Sequence, residues 1–320
     1  MPSAGTPTPG AVVASLWIAA DPASQRILDM ARKVAATSST LLLRGESGTG
    51  KDLLAQVIHY LSPAREEPYV KIDCASLPPE LVESELFGHE RGAFTGAASQ
   101  KQGRLEMAKS GTIVLDEVAA LTLPMQAKIL RVVEEKKFER LGGNVTLRID
   151  SRLIALTHAD LEAAVRQRAF REDLYYRLNV VPIEIPPLRQ RRADILPLAL
   201  HLTEKLCHLH HKPTMTMSAP VRKALETYDF PGNGRELRNI IERAVLLAVG
   251  EEILTTHLPA HLAEARPGAG VERLMSLEDM EQQYISEVLD HTHGRKSRAA
   301  KILGISRKTL LEKRKRYGLD

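Results

Sequence analysis

The stretch GESGTGKD (45–52) lies between an apolar run, TLLLR (40–44), and a segment with helix-period apolar residues, KDLLAQVIHYL (51–61). No other feature constrains the chain as much. A G-x-x-x-x-G-K frame between a buried strand and a helix start points backbone N–H groups at an anion and sends the lysine to its outer oxygens. Gly45, Glu46, Ser47, Gly48, Thr49, Gly50 and Lys51 are therefore candidate phosphate-binding residues. The frame ordinarily closes on Ser or Thr, whose hydroxyl sits on a magnesium ion. Here Asp52 holds that position.

Four more apolar runs read as buried strands: YVKID (69–73), TIVLD (112–116), RLIALT (152–157) and VVPIEI (180–185). Helix-period stretches such as SQRILDMARKVA (24–35) and LPMQAKILRVVEE (123–135) separate most of them. Strands alternating with helices predict an α/β fold, a parallel sheet sandwiched by helices. After IPPLRQRR (185–192) the strand signal stops, and 193–262 read as helices only, broken by HKPTM (211–215) and FPGNG (230–234). EARPGAG (264–270) has the composition of a linker. The expected partition is a flexible tail at 1–15, an α/β subdomain at 16–190, a helical subdomain at 191–262, a linker at 263–274 and a small all-α unit at 275–320.

No apolar run approaches the roughly 20 residues that span a bilayer, so no membrane role is expected. The N-terminus has neither a basic start nor an apolar core of a secretory signal. Cys74 and Cys207 form no C-x-x-C pair, which fits a cytoplasmic chain. The net charge of +4 is uneven: from His291 to Asp320 ten Lys or Arg stand against Glu312 and Asp320, leaving the rest of the chain acidic. A basic end on an acidic body points to an anionic polymer bound at the C-terminus.

TIVLDE (112–117) supplies the second half of a nucleotide site. A buried strand delivers Asp116 to a metal ion and Glu117 toward an attacking water. ESELFGHERGAFTGA (83–97) then makes a family resemblance specific, because GAFTGA (92–97) is the signature loop of the sigma-54-dependent transcription activators, which are AAA+ ATPases. The chain resembles that family also through QAKILRVVEEKKFERLGG (126–143), FREDLYYRL (170–178), IPPLRQRRADI (185–195) and PGNGRELRN (231–239), over about residues 17–262.

The resemblance implies ATP and Mg2+ as cofactors. In the family the position after the loop lysine is commonly acidic, so Asp52 reads as a shortened version of that habit, with magnesium held through Asp116 and water. Arg171 and Arg177 fall in the arginine-finger segment; a guanidinium supplied across a subunit boundary implies a ring, expected as a hexamer. Arg235 resembles the second sensor. Gly92, Ala93, Phe94, Thr95, Gly96 and Ala97 would touch the sigma factor, Phe94 being an aromatic on a mobile loop that cannot bury it with much order. Three positions depart from the pattern. Asp73 stands where an Asn switches the catalytic Glu, His158 where the first-sensor Asn is usual, and Gly234 where Val is usual, which loosens a helix start. His158 would make turnover pH-sensitive between about pH 6 and 8.

HTHGRKSRAAKILGISRKTLLEKRKRYGLD (291–320) resembles a Fis-type helix-turn-helix. Ala299, Ala300, Ile302 and Leu303 are available to pack, Gly304 makes the turn and Ser306 caps a second helix. Arg307, Lys308 and Thr309 would face base edges, while Lys313 and Arg314 meet phosphate; Arg295 and Lys296 add charge near the backbone. Such units read paired half-sites as dimers, so a two-fold symmetric enhancer site is expected.

The expected protein is an ATP-driven activator that opens the closed sigma-54 RNA polymerase–promoter complex. A DNA-binding regulator with a non-hydrolysing nucleotide domain, supported by Asp73 and His158, and an AAA+ motor for another client are the alternatives. Only a short tail precedes the ATPase region, with no room for a receiver domain. Regulation then falls to a separate protein or to expression level, unless the chain is cut from a longer one.

Overall fold

The computed structural model describes residues 16–263, a few positions between 281 and 292, and residues 295–317. The tail expected at 1–15, all but the first residue of the expected linker and most of the stretch 275–294 lie outside the described residues. The chain divides into two compact units, Met1–Ala265 and Arg266–Asp320.

The first unit begins α1 (Pro22–Ala35), β1 (Leu41–Arg44), α2 (Lys51–Tyr60), β2 (Tyr69–Asp73), α3 (Pro79–Phe87), β3 (Gly88–His89), β4 (Lys101–Gln102) and α4 (Arg104–Met107). It continues β5 (Thr112–Asp116), α5 (Leu123–Glu135), β6 (Lys137–Glu139), β7 (Thr146–Arg148), β8 (Arg152–Thr157), α6 (Leu161–Arg166), α7 (Glu172–Leu178) and β9 (Val181–Glu184). All five apolar runs become strands of one sheet, ordered β2-β5-β8-β1-β9 and parallel throughout.

Strand side chains alternate between faces, and the two faces bury separate cores. Leu42, Ile113, Leu115, Leu153 and Ala155 point to one side, against Leu86 and Phe87 of α3, Ile129 and Val132 of α5 and Leu174 of α7. Leu41, Leu43, Val114, Ile154 and Leu156 point to the other, against Ala31 and Val34 of α1, Leu54 and Ile58 of α2, and Trp17. Burial on both faces is why these strands read as continuous apolar runs. The register pairs Asp73 with Asp116 and Arg44 with Thr157, so the strands' C-terminal ends meet along one edge.

The rest of the first unit is a lid of α8 (Ile195–Leu209), α9 (Ala219–Thr227) and α10 (Asn233–Leu247) around its own core. It is not helix alone: β10 (Thr216–Met217) and β11 (Glu252–Ile253) pair in parallel. Two residues per strand carry no readable period, so the expectation of helices only fails there for want of signal. At the entry to the lid, buried Asp194 accepts hydrogen bonds from Ala20 N (2.8 Å), Asp21 N (2.7 Å) and the Ser24 hydroxyl, which fastens the start of α1.

In the second unit Ala299 and Ala300 of the helix Lys296–Ile302 pack with Leu310 of the helix Arg307–Tyr317, and with Ile285 and Val288. Gly304 turns between the helices at φ +67°, and the Ser306 hydroxyl accepts from Thr309 N at 3.0 Å, the expected N-cap. Ile302, expected to pack, is 48% exposed. Leu303, also expected to pack, is partly buried against that core.

Asp194→Ala strands two backbone N–H groups in a part-buried place, so we expect it to lower the stability of the ATPase unit by about 1–3 kcal/mol. The shift of its urea midpoint measures this, with Asp194→Asn intermediate.

Candidate functional site

Gly45–Gly50 follow β1, and Gly50, at φ +100°, starts α2. Lys51 is buried, and its ammonium donates to Gly45 O (2.7 Å) and Glu46 O (3.1 Å), on the inside of the loop. Burial pulls the lysine below its usual pKa, and the charges of Glu117 and Asp116 offset only part of that, so the net direction is down.

The lid reaches the loop with four side chains. Asn233, buried and at φ +51°, donates to Glu46 Oε2 (3.1 Å) and Ser47 O (3.0 Å) while accepting from Leu188 N (2.7 Å). Arg189 grips the Glu46 carboxylate with both terminal nitrogens, and this contact with Asn233 behind it holds that carboxyl down to about 2. Arg191, buried beside the Trp17 ring, donates to Thr49 O at 2.5 Å, and Arg235 donates to the Ser47 hydroxyl at 2.6 Å. Gly234 N donates to Gly48 O at 3.0 Å, and a Cβ at residue 234 would stand 3.1 Å from that oxygen. Gly234 therefore sits both in the first turn of α10 and in close backbone contact with the loop.

Asp116 ends β5. Its Oδ2 lies 2.8 Å from the Lys71 ammonium, which also lies 2.9 Å from Asp52 Oδ2. Burial lowers the pKa of Lys71, but the hydrogen bonds and charges of Asp116 and Asp52 outweigh it, and the net direction is up. Glu117 follows in the left-handed region at φ +54°. Its Oε2 accepts from His158 N (3.3 Å) and faces His158 Nδ1 at 2.7 Å. A carboxylate only accepts, so Nδ1 carries the hydrogen. Asp73 turns to its own loop and accepts from Ala75 N at 2.9 Å.

Arg171 and Arg177 are exposed, paired with Asp173 (2.7 Å) and Glu134 (2.7 Å) rather than with the loop. Arg171, Glu172, Asp173 and Tyr176 line an open pocket on the surface.

GAFTGA lies in the loop 90–100 that joins the two-residue strands of the β3–β4 hairpin. Gly92 N donates to Ala97 O (2.9 Å), and Ala97 N to Phe94 O (3.0 Å). Phe94 is 44% exposed and rests edge-on against the His89 ring, centroids 5.0 Å apart. Thr95 is exposed, Ala97 buried, and Ala93 touches the backbone turn at Gly142. In the second unit Arg295, Arg307 and Lys308 are exposed and Lys296 half-buried. The Lys313 ammonium pairs with Glu281 at 2.7 Å.

Sequence reasoning missed Lys71, Arg189, Arg191 and Asn233. The last three stand in motifs already quoted, IPPLRQRR and PGNGREL, which marks the segments without naming the residues. Lys71 had no signal beyond its place on a strand ahead of the acidic pair.

The donor set fits a nucleoside triphosphate with magnesium: main-chain N–H groups at a helix start, a buried ammonium, and one strand-end carboxylate. Residues 17–184 match the sigma-54 interaction domain, 189–274 an AAA+ ATPase lid domain, and 276–317 the bacterial regulatory proteins of the Fis family. The regulatory protein AtoC of Escherichia coli (strain K12) is 43% identical over 308 residues, covering 93% of this chain and 67% of AtoC. The transcriptional regulatory protein ZraR of the same strain is 44% identical over 306 residues, covering 95% of this chain and 69% of ZraR. NtrX from Brucella abortus, solved in complex with ATP, matches with TM-score 0.73 at 33% identity, over 96% of this chain and 71% of NtrX. Sequence, sheet and lid thus place the chain among the sigma-54-dependent transcription activators, with the AAA+ ATPase domain of that family and a Fis-type DNA-binding domain.

Proposed function

We propose that this activator hydrolyses ATP to remodel the closed sigma-54 RNA polymerase–promoter complex through its GAFTGA hairpin. The observation that carries the reading is the meeting of phosphate loop, acidic pair and lid arginine at the strand ends of a unit that also bears that hairpin. Bound ATP supplies the phosphoryl group, and Mg2+ neutralises the charge that builds on it.

The chain's own residues do the rest. Main-chain N–H groups of Gly48, Thr49, Gly50 and Lys51 cradle the phosphates, the Lys51 ammonium turns from loop carbonyls to phosphate oxygens, and Asp116 holds the metal. Glu117 orients the attacking water. His158 holds Glu117 in its left-handed pose, the task that falls to Asp73 by position but that Asp73 leaves to its own turn. Arg235 reports the outer phosphate to the lid. Arg171, which lines a surface pocket, and Arg177, both exposed, reach the site of the next subunit in a hexameric ring. Phe94 and Thr95 lead the contact with the sigma factor.

The helix Arg307–Tyr317 enters the major groove of enhancer DNA with Arg307, Lys308 and Thr309, and Arg295, Lys296, Ser306, Lys313 and Arg314 flank the phosphates. Lys313 exchanges Glu281 for phosphate on binding. A dimer reads the two-fold site. The work takes place in the cytoplasm, where a DNA-binding activator meets its promoter. Among the described residues no helix is long and apolar enough to cross a membrane.

Shared sites make the specific ATPase rate climb steeply with protein concentration, and Arg171→Ala lowers it by about 10³-fold or more. A rate independent of concentration, with Arg171→Ala unaffected, overturns the ring. Phe94→Ala keeps ATP turnover and loses promoter opening in a reconstituted transcription assay. His158→Ala lowers kcat about tenfold or more through a misplaced Glu117 and leaves nucleotide affinity unchanged, which separate kcat and Kd measurements resolve.

A further inference from the structure

Strand β2 sends Tyr69 and Lys71 to one face, two residues apart, toward α2 and β5. The Lys71 ammonium stands between Asp52 and Asp116, at 2.9 and 2.8 Å. Burial, and after it the charges of Asp52 and Asp116, push the Tyr69 phenol well above its usual range. The second oxygen of Asp52, Oδ1, is buried without a hydrogen-bond partner, as is the Tyr69 hydroxyl.

The chemistry follows from residue 52. A hydroxyl at that place is neutral; a carboxylate adds a full negative charge next to Asp116. Two carboxylates that share one cation at this spacing would also serve a divalent ion. Among the described residues, no three His, Cys, Asp or Glu side chains converge as a metal cage, so an ion here draws its remaining ligands from phosphate and water.

We infer that Lys71 is a built-in counter-ion that occupies the Asp52–Asp116 pair in the nucleotide-free chain, so that a divalent metal enters only together with nucleotide. The inference rests on the reading of Asp116 as the metal-binding carboxylate. It makes Lys71 a positioning residue, fixing Asp116 by a hydrogen bond before metal arrives, and it gives Asp52 a task that a serine or threonine could not perform. A threonine cannot balance an ammonium.

The test titrates Mn2+ into the nucleotide-free full-length chain and follows free Mn2+ by electron paramagnetic resonance. Lys71→Gln should bind Mn2+ at least tenfold more tightly than the unaltered chain. Lys71→Arg, which keeps the charge, should not, and adding Asp52→Ser to Lys71→Gln should remove the gain. Trp17, the one tryptophan of the chain, packs against Gly50, so its fluorescence follows metal-free ADP binding in each variant. Equal Mn2+ affinity in Lys71→Gln and the unaltered chain, with ADP still bound by both, overturns the role of Lys71 and leaves the nucleotide site standing. ADP bound by neither overturns the nucleotide reading itself. Lys71→Met, an apolar replacement suited to a half-buried strand, takes the place of Lys71→Gln if the amide variant does not fold, and the same comparison decides.

Discussion

The phosphate loop is held from within by Lys51 and Thr49 and from outside by the lid. Asn233 holds Glu46 and Ser47, Arg189 holds Glu46, Arg191 holds the Thr49 carbonyl, and the Gly234 amide meets Gly48 O. Each of these donors belongs to the lid or its approach, and none to the sheet that carries the loop. A Cβ on Gly48 would stand 2.5 Å from Gly232 O, so the two backbones touch with no room for a side chain. A change of the loop on filling must therefore be felt by the start of α10, and a rotation of α10 must be felt by the loop. Coupling between nucleotide and lid needs no longer path than these hydrogen bonds.

The strand ends show how charge is arranged before any ligand arrives. Lys51 is hydrogen-bonded to loop carbonyls, Lys71 to Asp52 and Asp116, and His158 to Glu117. Every acid at the heart of the site thus has a partner that can be exchanged. Asp73 is the exception in direction: it caps its own turn at Ala75, which keeps a further negative charge engaged away from Glu117. The side chain that meets Glu117 therefore comes from the end of β8, while the acid at the end of β2, on the other side of β5, meets its own turn.

Much of this was legible in the sequence, and the reason is burial. Strands covered on both faces are apolar without interruption, so TLLLR, TIVLD and RLIALT declared themselves, and the loop between TLLLR and its helix fixed the site's place. GAFTGA and the acidic pair were legible because each is one contiguous run. What was not legible crosses elements. Lys71 meets Asp116 only because β2 and β5 are adjacent and in register, and no pattern along β2 announces that. Asn233 is a turn residue by local rules, and its contact with Ser47 depends on how the lid closes back. The pair β10–β11 and the exposure of Ile302 are likewise settled by packing at a distance in the chain.

The seat of Phe94 on His89 has a thermodynamic side. One edge-on ring contact contributes about 0.5–1.5 kcal/mol, and Gly92 and Gly96 carry nothing that would press on a neighbour. Taken alone, a contact of about 1 kcal/mol corresponds to a population ratio near five, so the ring contact by itself is a weak latch. The tip is then a bolt held by a weak spring. A partner that competes for the exposed Phe94 ring has only about that much contact energy to replace.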